Sequence, residues 1–440
     1  MQVKALMIVL AALGACSAGP ARADDLRQTV AADMPGLMAI YRDLHQNPEL
    51  PFQEMRSAKV MADAARAAGF TVTEKVGSTG VVEVLGNGPG PVVMIRADMD
   101  ALPVVEQTGL PFASKARGQA AGGETGIMHA CGHDTHMTAW IATARLMAAR
   151  KSQWSGTLVM IGQPAEEIGE GALAMIADGL LTRFPKPDLV IGMHDSADIP
   201  SGVLGVRAGP VLASADSIDI LVKGQGGHGA YPHLTRDPIV LASAIVMRLQ
   251  TLVSREKSPF EPAVVTVGAI HGGTKHNIIG DEVSMQPTVR SYTDQSRAQL
   301  LDGIRRIVMA EAQASGMPAD RMPQVTVRQP AGRATINTAG LAQRLQQTFA
   351  NRFGQDRVIE QQLSMAGEDF GDFAKAAGPN TESVIFWVGG RPQAELDVAK
   401  REGKQLPGLH SPFWAPDAES VISTGAEALA SAAMHLMARK

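Results

Sequence analysis

Residues 157–167 read Thr-Leu-Val-Met-Ile-Gly-Gln-Pro-Ala-Glu-Glu, an apolar run that ends in two adjacent carboxylates. The run Thr157–Ile161 lacks polar alternation, which is typical of a strand buried on both faces of a sheet. Glu166 and Glu167 follow that strand directly, and open α/β sheets bind their ligands at the carboxyl ends of their strands. This stretch therefore predicts a buried parallel strand with acidic groups at its functional end.

Two further apolar runs, at 91–96 and 189–192, have the same character. Segments with helical spacing, the first of them Pro35–His45, precede and separate the strands. Strands that alternate with helices indicate an α/β sheet with helices on both faces. We therefore predict an α/β catalytic domain with a mostly parallel central sheet.

The pattern changes near residue 210, where strands and helices follow in the order β-α-β-β-α-β. This is the order of a ferredoxin-like α+β unit. We therefore expect the catalytic domain to comprise residues 24–208 and 329–440, with an inserted domain at residues 209–328.

The first 23 residues differ in kind from the rest. Lys4 precedes the apolar run 5–15, and Ala21-Arg22-Ala23 fits a small-residue cleavage pattern. We expect a cleaved signal peptide at 1–23 and a secreted or periplasmic protein. An uncleaved anchor and a lipoprotein attached at Cys16 are the alternatives.

Composition excludes other classes of protein. The 440 residues are 45% hydrophobic and 19% charged, which indicates a globular chain. The formal net charge is −4 and no run is rich in lysine or arginine, so we expect no nucleic-acid binding. No segment after the N-terminal run has 18 uninterrupted apolar residues, so we expect no membrane span.

Residues 128–136, Met-His-Ala-Cys-Gly-His-Asp-Thr-His, hold one cysteine and three histidines within eight residues. This composition is typical of a metal site, although an ordinary polar loop before a helix is the alternative. Two isolated histidines, His194 and His410, would each be unremarkable alone. Because the carboxyl ends of parallel strands lie at one edge of a sheet, we expect these histidines and residues 128–136 to form one site.

The predicted metal ligands are Cys131, His133, Glu167, His194 and His410. Five side chains make six metal bonds if the thiolate of Cys131 or the carboxylate of Glu167 bridges two ions, which predicts two divalent ions per subunit. Mixed sulfur, nitrogen and oxygen ligands suit zinc, manganese, cobalt or nickel.

Six motifs then point to a known family, and they run in its order along most of the chain. They are Ile95–Pro103, Cys131–Asp134, Gln163–Glu167, Gly226–His233, Gly367–Phe370 and His410–Pro412. With them the chain resembles the amidohydrolase branch of the aminoacylase and carboxypeptidase-G-like metallopeptidases. That branch contains hippurate hydrolases, auxin-conjugate hydrolases and N-acyl-amino-acid amidohydrolases.

The resemblance implies roles for particular residues. The five ligands named above match the family's metal ligands, and Glu166 matches its general base. The inserted domain matches a lid and dimerisation domain, so a homodimer is implied. In it, His228 matches a histidine that reaches the partner's substrate, and Asn277 and Arg290 match residues that bind the substrate's carboxylate.

The expected function is hydrolysis of the amide bond of small N-acyl amino acids by a metal-activated water, with Glu166 as the base. A dipeptidase or carboxypeptidase on the same scaffold is the first alternative, because the same ligands serve both reactions. A non-catalytic metal- or ligand-binding relative is the second, since fold and ligands do not by themselves prove turnover.

Overall fold

A computed structural model describes residues 21–120, 122–329 and 332–439. The predicted signal peptide and the alternative lipid attachment at Cys16 lie outside these residues, apart from Ala21–Ala23, which begin the first helix.

The helices of the described residues have the bounds α1 Ala21–Gln46, α2 Met55–Ala67, α3 His133–Ala149, α4 Gly171–Ala177, α5 Leu180–Arg183, α6 Pro238–Thr251, α7 Asp294–Ala314, α8 Ala339–Phe353, α9 Gly371–Ala377, α10 Gln393–Glu402 and α11 Ala418–Leu436. The strands have the bounds β1 Thr71–Val76, β2 Gly80–Asn87, β3 Val92–Asp98, β4 Arg117–Ala120, β5 Gly123–Gly126, β6 Gly156–Gln163, β7 Leu189–Pro200, β8 Leu204–Val206, β9 Gly209–Leu212, β10 Ser214–Lys223, β11 Gly227–His228, β12 Ala263–Gly272, β13 Ile278–Ile279, β14 Glu282–Ser291, β15 Gln324–Val327, β16 Thr335–Asn337, β17 Val358–Glu360 and β18 Glu382–Arg391.

The main sheet has eight strands in the order β1-β2-β6-β3-β7-β18-β8-β17. Its centre, β6-β3-β7-β18, is parallel throughout. Successive residues of a strand face opposite sides: Ile95 packs in a core with α1, α2, α3, α8 and α11, and Met94 in a core with α4, α5 and α9. The predicted fold class, a mostly parallel sheet with helices on both faces, is confirmed.

A second sheet lies in the segment that the sequence analysis assigned to an insertion. Its order is β12-β14-β10-β15, all antiparallel, and α6 and α7 pack in its core. The strands of this sheet and its two helices follow along the chain in the predicted order, β-α-β-β-α-β, and the short strands β11 and β13 form a separate ribbon. The two segments that join this unit to the main sheet pair with each other as the short ribbon β9·β16.

Two predicted boundaries were wrong. Helix α1 extends well before Pro35, the residue at which the sequence analysis began it, and Pro35 lies inside the helix. Buried residues at helical spacing, among them Leu26, Val30 and Met34, hold the earlier part against the core. Strand β7 continues to Pro200 instead of ending near Gly192, because β18 pairs with it beyond the end of its pairing with β3.

Among the described residues, one helical segment, Pro238–Glu256, has the length and composition of a membrane span. It belongs to the α6 region, where Leu241, Ile245 and Leu249 are buried in the core of the second sheet. This burial accounts for the apolar composition of one face of the helix, as in the core helix of a globular domain.

Candidate metal centre and catalytic site

The candidate site lies at the carboxyl edge of β3 and β6, beside the start of α3. Cys131 Sγ lies 3.6 Å from Nε2 of His194 and 3.3 Å from Nε2 of His410. The same nitrogen of His410 lies 3.4 Å from Oε2 of Glu167. Nε2 of His133 lies 3.8 Å from Oε1 of Glu167. The structure therefore brings all five predicted ligands together, from four separate parts of the chain.

Two of the histidines present one ring nitrogen to this cluster. Nδ1 of His133 donates to the backbone carbonyl of Asp100 at 2.8 Å, and Nδ1 of His194 donates to that of Asp195 at 2.7 Å. These bonds leave Nε2 of each ring as the free position. Histidine ligands usually donate their other nitrogen in this way, which orients the ring towards a metal.

A left-handed turn places Cys131 and His133 side by side. Gly132 has φ +77°, and a Cβ on it would lie 2.7 Å from the carboxyl group of Asp195. Both facts require glycine, because other residues are strained there and would also collide with that carboxyl. His133 then begins α3, with its ring in the cluster.

His136 was not predicted as a site residue, although it lies three residues after His133 and hence on the same helix face. Its Nδ1 donates to Asp98 at 2.6 Å, and its Nε2 accepts the backbone N–H of Asp195 at 2.9 Å. Both nitrogens are engaged, so His136 braces Asp98 and Asp195 behind the ligands. The spacing of three residues is the signal that could have identified it.

Carboxylates hold the turn that carries the two glutamates. Asp100 accepts the backbone N–H of Glu166 at 3.1 Å and that of Glu167 at 2.9 Å. Ala165, just before them, has φ +52°, a left-handed conformation that is uncommon for alanine. The two glutamate side chains therefore diverge from a tightly held turn.

The loop that carries His410 is clamped by Arg391, at the end of β18. The guanidinium donates to the carbonyls of Ala197, at 2.9 Å, and of Pro407, and lies 4.8 Å from the ring centre of Trp414. His410 itself has φ +66°, and its backbone N–H donates to Ala130 at 2.7 Å. These contacts place His410 next to Cys131.

Arg96 is fully buried behind the glutamates. It donates to Asp98 at 2.5 Å, to Gln163 at 2.7 Å and to Glu368 at 2.7 Å. Carboxylate oxygens of Glu166, Glu368 and Asp369 lie within 4.8 Å of one another. Within the part of the chain that the structure describes, Arg96 is the one cation bonded to this acidic group, and without it the buried charges would repel one another strongly.

Burial sets the protonation of both glutamates. It raises the pKa of Glu166 well above its usual value, and the charges of Glu368 and Glu167 raise it further. Burial likewise raises the pKa of Glu167 to about 7, although His133 opposes the shift. A carboxylate whose pKa is raised towards neutrality is suited to accept and return a proton.

The remaining groups also favour a bound cation. Burial raises the pKa of the Cys131 thiol, and Glu167 raises it further. Burial lowers the pKa of His133, but Asp98, Asp100 and Glu167 together outweigh that effect and the pKa rises to about 10. Nε2 of His133 and Oε1 of Glu167 are buried without a hydrogen-bond partner among the described residues. Such unpaired atoms lie beside several carboxylates, and the cluster offers sulfur, nitrogen and oxygen atoms as ligands. This combination suits divalent metal ions.

The other three predicted site residues lie in the inserted segment: Arg290 on β14 of the second sheet, His228 on the short strand β11, and Asn277 just before β13, which pairs with β11 as a separate ribbon. His228 and Asn277 lie together, since Gly229 N–H donates to the carbonyl of Asn277 at 2.9 Å, and both are exposed. Within the described residues, no hydrogen bond or ion pair joins either of them to the ligand cluster. Arg290 is closer: its Nη1 lies 3.3 Å from where a Cβ on Gly367 would be, next to Glu368.

The comparisons with known proteins agree with this geometry. The model of peptidase family M20/M25/M40 matches residues 94–434. The chain is 36% identical over 359 residues to thermostable carboxypeptidase 2 of Saccharolobus solfataricus, covering 81% of this chain and 86% of that protein. It is 38% identical over 338 residues to N-acetylcysteine deacetylase of Bacillus subtilis, covering 76% and 84%.

Among solved structures, the YXEP protein of Bacillus subtilis is described as a dinuclear metal binding peptidase from the M20 family. It superposes with a TM-score of 0.75 at 30% identity, covering 92% of this chain and 99% of that chain. The resemblance that the six motifs indicated is confirmed, and with it metal-dependent hydrolysis of amides of small molecules by an enzyme that uses divalent ions. The chain belongs to peptidase family M20/M25/M40.

Proposed function

We propose that the enzyme hydrolyses the amide bond of N-acyl amino acids, with two divalent ions held by Cys131, His133, Glu167, His194 and His410. The observation that carries the proposal is the burial of Glu166 beside Glu167, with Oε2 of Glu166 3.9 Å from Nε2 of His133. A base in that position lies close enough to the predicted metal ligands to contact a water molecule bound between them. The bound ions would polarise the carbonyl and make water more acidic.

The residues of the chain then supply the proton transfers. Glu166 takes a proton from the attacking water and returns it to the nitrogen of the leaving amine, for which its raised pKa is suited. Asp100 holds the backbone of Glu166, so the carboxylate keeps its position through both transfers. Glu368 and Arg96 bond to each other behind Glu166, and their opposite charges influence its pKa.

The segment that contains the second sheet would bind the substrate. Arg290 offers a guanidinium beside Gly367, where it would hold the carboxylate of the amino-acid portion by a bidentate contact, with Asn277 as a further donor. His228 would stabilise the oxyanion formed from the carbonyl. His228 and Asn277 are exposed, which suits residues that act in the active site of a partner subunit.

We propose that the enzyme is a homodimer joined through the second sheet. Strand β12 is an edge strand with one unpaired side, which can pair with another chain. The neighbouring helix α6 exposes Val240 and Met247, at 66% and 72%. Analytical ultracentrifugation of the wild-type protein and of a Val240→Lys, Met247→Lys variant tests this proposal: the wild type should sediment as a dimer and the variant as a monomer. A monomeric wild type would contradict it.

Carboxypeptidase activity is the second candidate, because a relative that is 36% identical carries that name. A screen of N-acetyl, N-benzoyl and longer N-acyl amino acids against dipeptides, each with zinc, manganese, cobalt or nickel, separates the two. Faster turnover of the N-acyl amino acids supports the first proposal, and faster turnover of dipeptides supports the second. Turnover of neither class, with metal bound, would favour a non-catalytic relative.

We propose further that the chain is exported and cleaved after Ala23. The small residues Ala21 and Ala23 after the N-terminal apolar run support this, as does the single cysteine that cleavage would leave, since a ligating thiolate is protected in an oxidising compartment. N-terminal sequencing of the exported protein should begin at Asp24. A start at a lipidated Cys16 would support a lipoprotein, and an intact Met1 would reject both.

A further inference from the structure

A buried carboxylate far from the cluster in sequence reaches the turn that carries the two glutamates. Glu54, just before α2, is fully buried and 111 residues away from Ala165. Its Oε1 accepts the backbone N–H of Ala165 at 2.8 Å and that of Phe52 at 2.9 Å, and its Oε2 accepts the hydroxyl of Thr79 at 2.5 Å. Both oxygens are therefore engaged, each with a different part of the chain.

The two backbone groups that share Oε1 belong to strained residues. Ala165 has φ +52° and Phe52 has φ +60°. Left-handed φ values are unfavourable for a non-glycine residue, and such a conformation persists only where surrounding contacts impose it. A single oxygen of Glu54 satisfies the N–H of both, so the same atom supports both left-handed conformations.

Three consecutive backbone amides are held in this turn. Glu54 holds that of Ala165, and Asp100 holds those of Glu166 and Glu167. If Glu54 were removed, the N–H of Ala165 would be buried without a partner, which destabilises the turn that buries it. Ala165 would then relax towards ordinary φ values, and that rotation would move the two glutamate side chains that follow it.

We propose that Glu54 is a positioning residue that sets the backbone turn from which Glu166 and Glu167 extend, an inference that rests on the function proposed above. It acts as a hydrogen-bond acceptor of defined reach, and its negative charge is not what the turn requires. Its oxygens bond to Ala165, Phe52 and Thr79, so its effect would reach the chemistry through the backbone of residues 165–167.

Two conservative variants distinguish the two possible roles of Glu54, which depend on the length of its side chain or on its charge. Glu54→Gln keeps an oxygen at the same distance, and its amide group can donate to Thr79, so the turn should survive. Glu54→Asp keeps the charge but is one methylene shorter, so its oxygen no longer reaches Ala165 and Phe52 together. Glu54→Ala removes the acceptor altogether.

The experiment uses the full-length metal-loaded protein and three measurements. They are zinc affinity by competition with a chromogenic chelator, kcat and KM for the N-acyl amino acid that the wild type turns over, and hydrogen exchange of the backbone at 165–167. Glu83→Asp is the matched control, because Glu83 is equally buried and its side-chain oxygens bond to no part of this turn.

We expect Glu54→Asp and Glu54→Ala to lower zinc affinity and kcat by about 10- to 100-fold, the usual effect of losing a group that orients a ligand. KM should change little, and exchange at 165–167 should accelerate. Glu54→Gln and the control should resemble the wild type in all three measurements. A purely structural role would lower the melting temperature without these selective changes.

If the zinc affinity, the kcat and the hydrogen exchange of Glu54→Asp equalled those of the wild type, the inference would be overturned. So would an active Glu54→Asp beside an inactive Glu54→Gln, because charge would then be the property that matters. Failure of the wild type to hydrolyse any amide would instead refute the proposed function. In that case zinc affinity and exchange still decide whether Glu54 holds the turn.

Discussion

Glu83 gives a quantitative prediction about the stability of the main sheet. It lies in β2, opposite Met160 of β6, and is fully buried among apolar residues. Neither of its side-chain oxygens has a hydrogen-bond partner in the ranges 21–120, 122–329 and 332–439. Burial therefore raises its pKa well above the usual 4.5, and the nearby charge of Arg66 opposes the shift. The folded protein accordingly holds a proton on Glu83 over a pH range in which the unfolded chain has lost it.

The sign of the effect follows from proton linkage. Because the pKa is raised in the folded state, its contribution is fully present below pH 4.5 and is lost as pH rises towards the folded pKa. The loss is about 1.4 kcal/mol for each pH unit between those two values. The side chain of Gln in Glu83→Gln is neutral at every pH. The variant should therefore be about as stable as the wild type near pH 4.5, and its stability relative to the wild type should increase as the pH rises.

The assay is urea unfolding of the wild type and of Glu83→Gln at matched pH values and the same metal concentration. The difference in free energy of unfolding cancels the titrations that both proteins share. Glu83→Met is the control: it should show the same dependence on pH, offset by about 1–3 kcal/mol because no polar group is left buried. A wild-type-minus-variant difference that is constant between pH 4.5 and 8 would refute the reasoning.

Three further predictions concern the site. Cys131→Ser should bind zinc more weakly in chelator competition, because the soft thiolate is gone; unchanged affinity would remove Cys131 from the ligands. Arg391→Met should release the loop of His410 and lower zinc affinity by about 10- to 100-fold, while the circular dichroism of the fold stays constant; wild-type affinity would show that the clamp is dispensable. Mixing inactive Glu166→Gln with inactive His228→Ala should restore activity after subunit exchange, since one site of each heterodimer has both wild-type residues; no recovery after verified exchange would mean that His228 does not act in trans.

Local sequence patterns predicted much of the fold. Apolar runs at 91–96 and 157–161 indicated strands that are buried on both faces. The β-α-β-β-α-β order was predictable in part because strands such as β10 and β14 alternate between buried and more exposed residues. Helix α1 was partly missed because Pro35 resembles a helix start, whereas packing of Leu26 and Val30 outweighs the missing hydrogen bond. The full length of β7 depends on its partner β18, which no local pattern reveals.

For the candidate site, too, some residues could be predicted from the sequence and others could not. Cysteine, histidine and glutamate in short motifs are recognisable, and the structure places all five predicted ligands side by side. The residues that orient them are not recognisable from sequence. Glu54 and Arg391 look like ordinary surface charges, because their partners, Ala165 and Pro407, are backbone groups brought near only by folding.

The central claim is that Glu166 is the base of a metal-dependent amide hydrolase, and one variant tests it most directly. Metal content and turnover of Glu166→Gln should be measured on the same preparation beside the wild type. We expect the metal content of the wild type, because Glu167 and the other ligands are intact, together with a loss of kcat of about 10²-fold or more. Near-wild-type turnover with the metal bound would contradict the account.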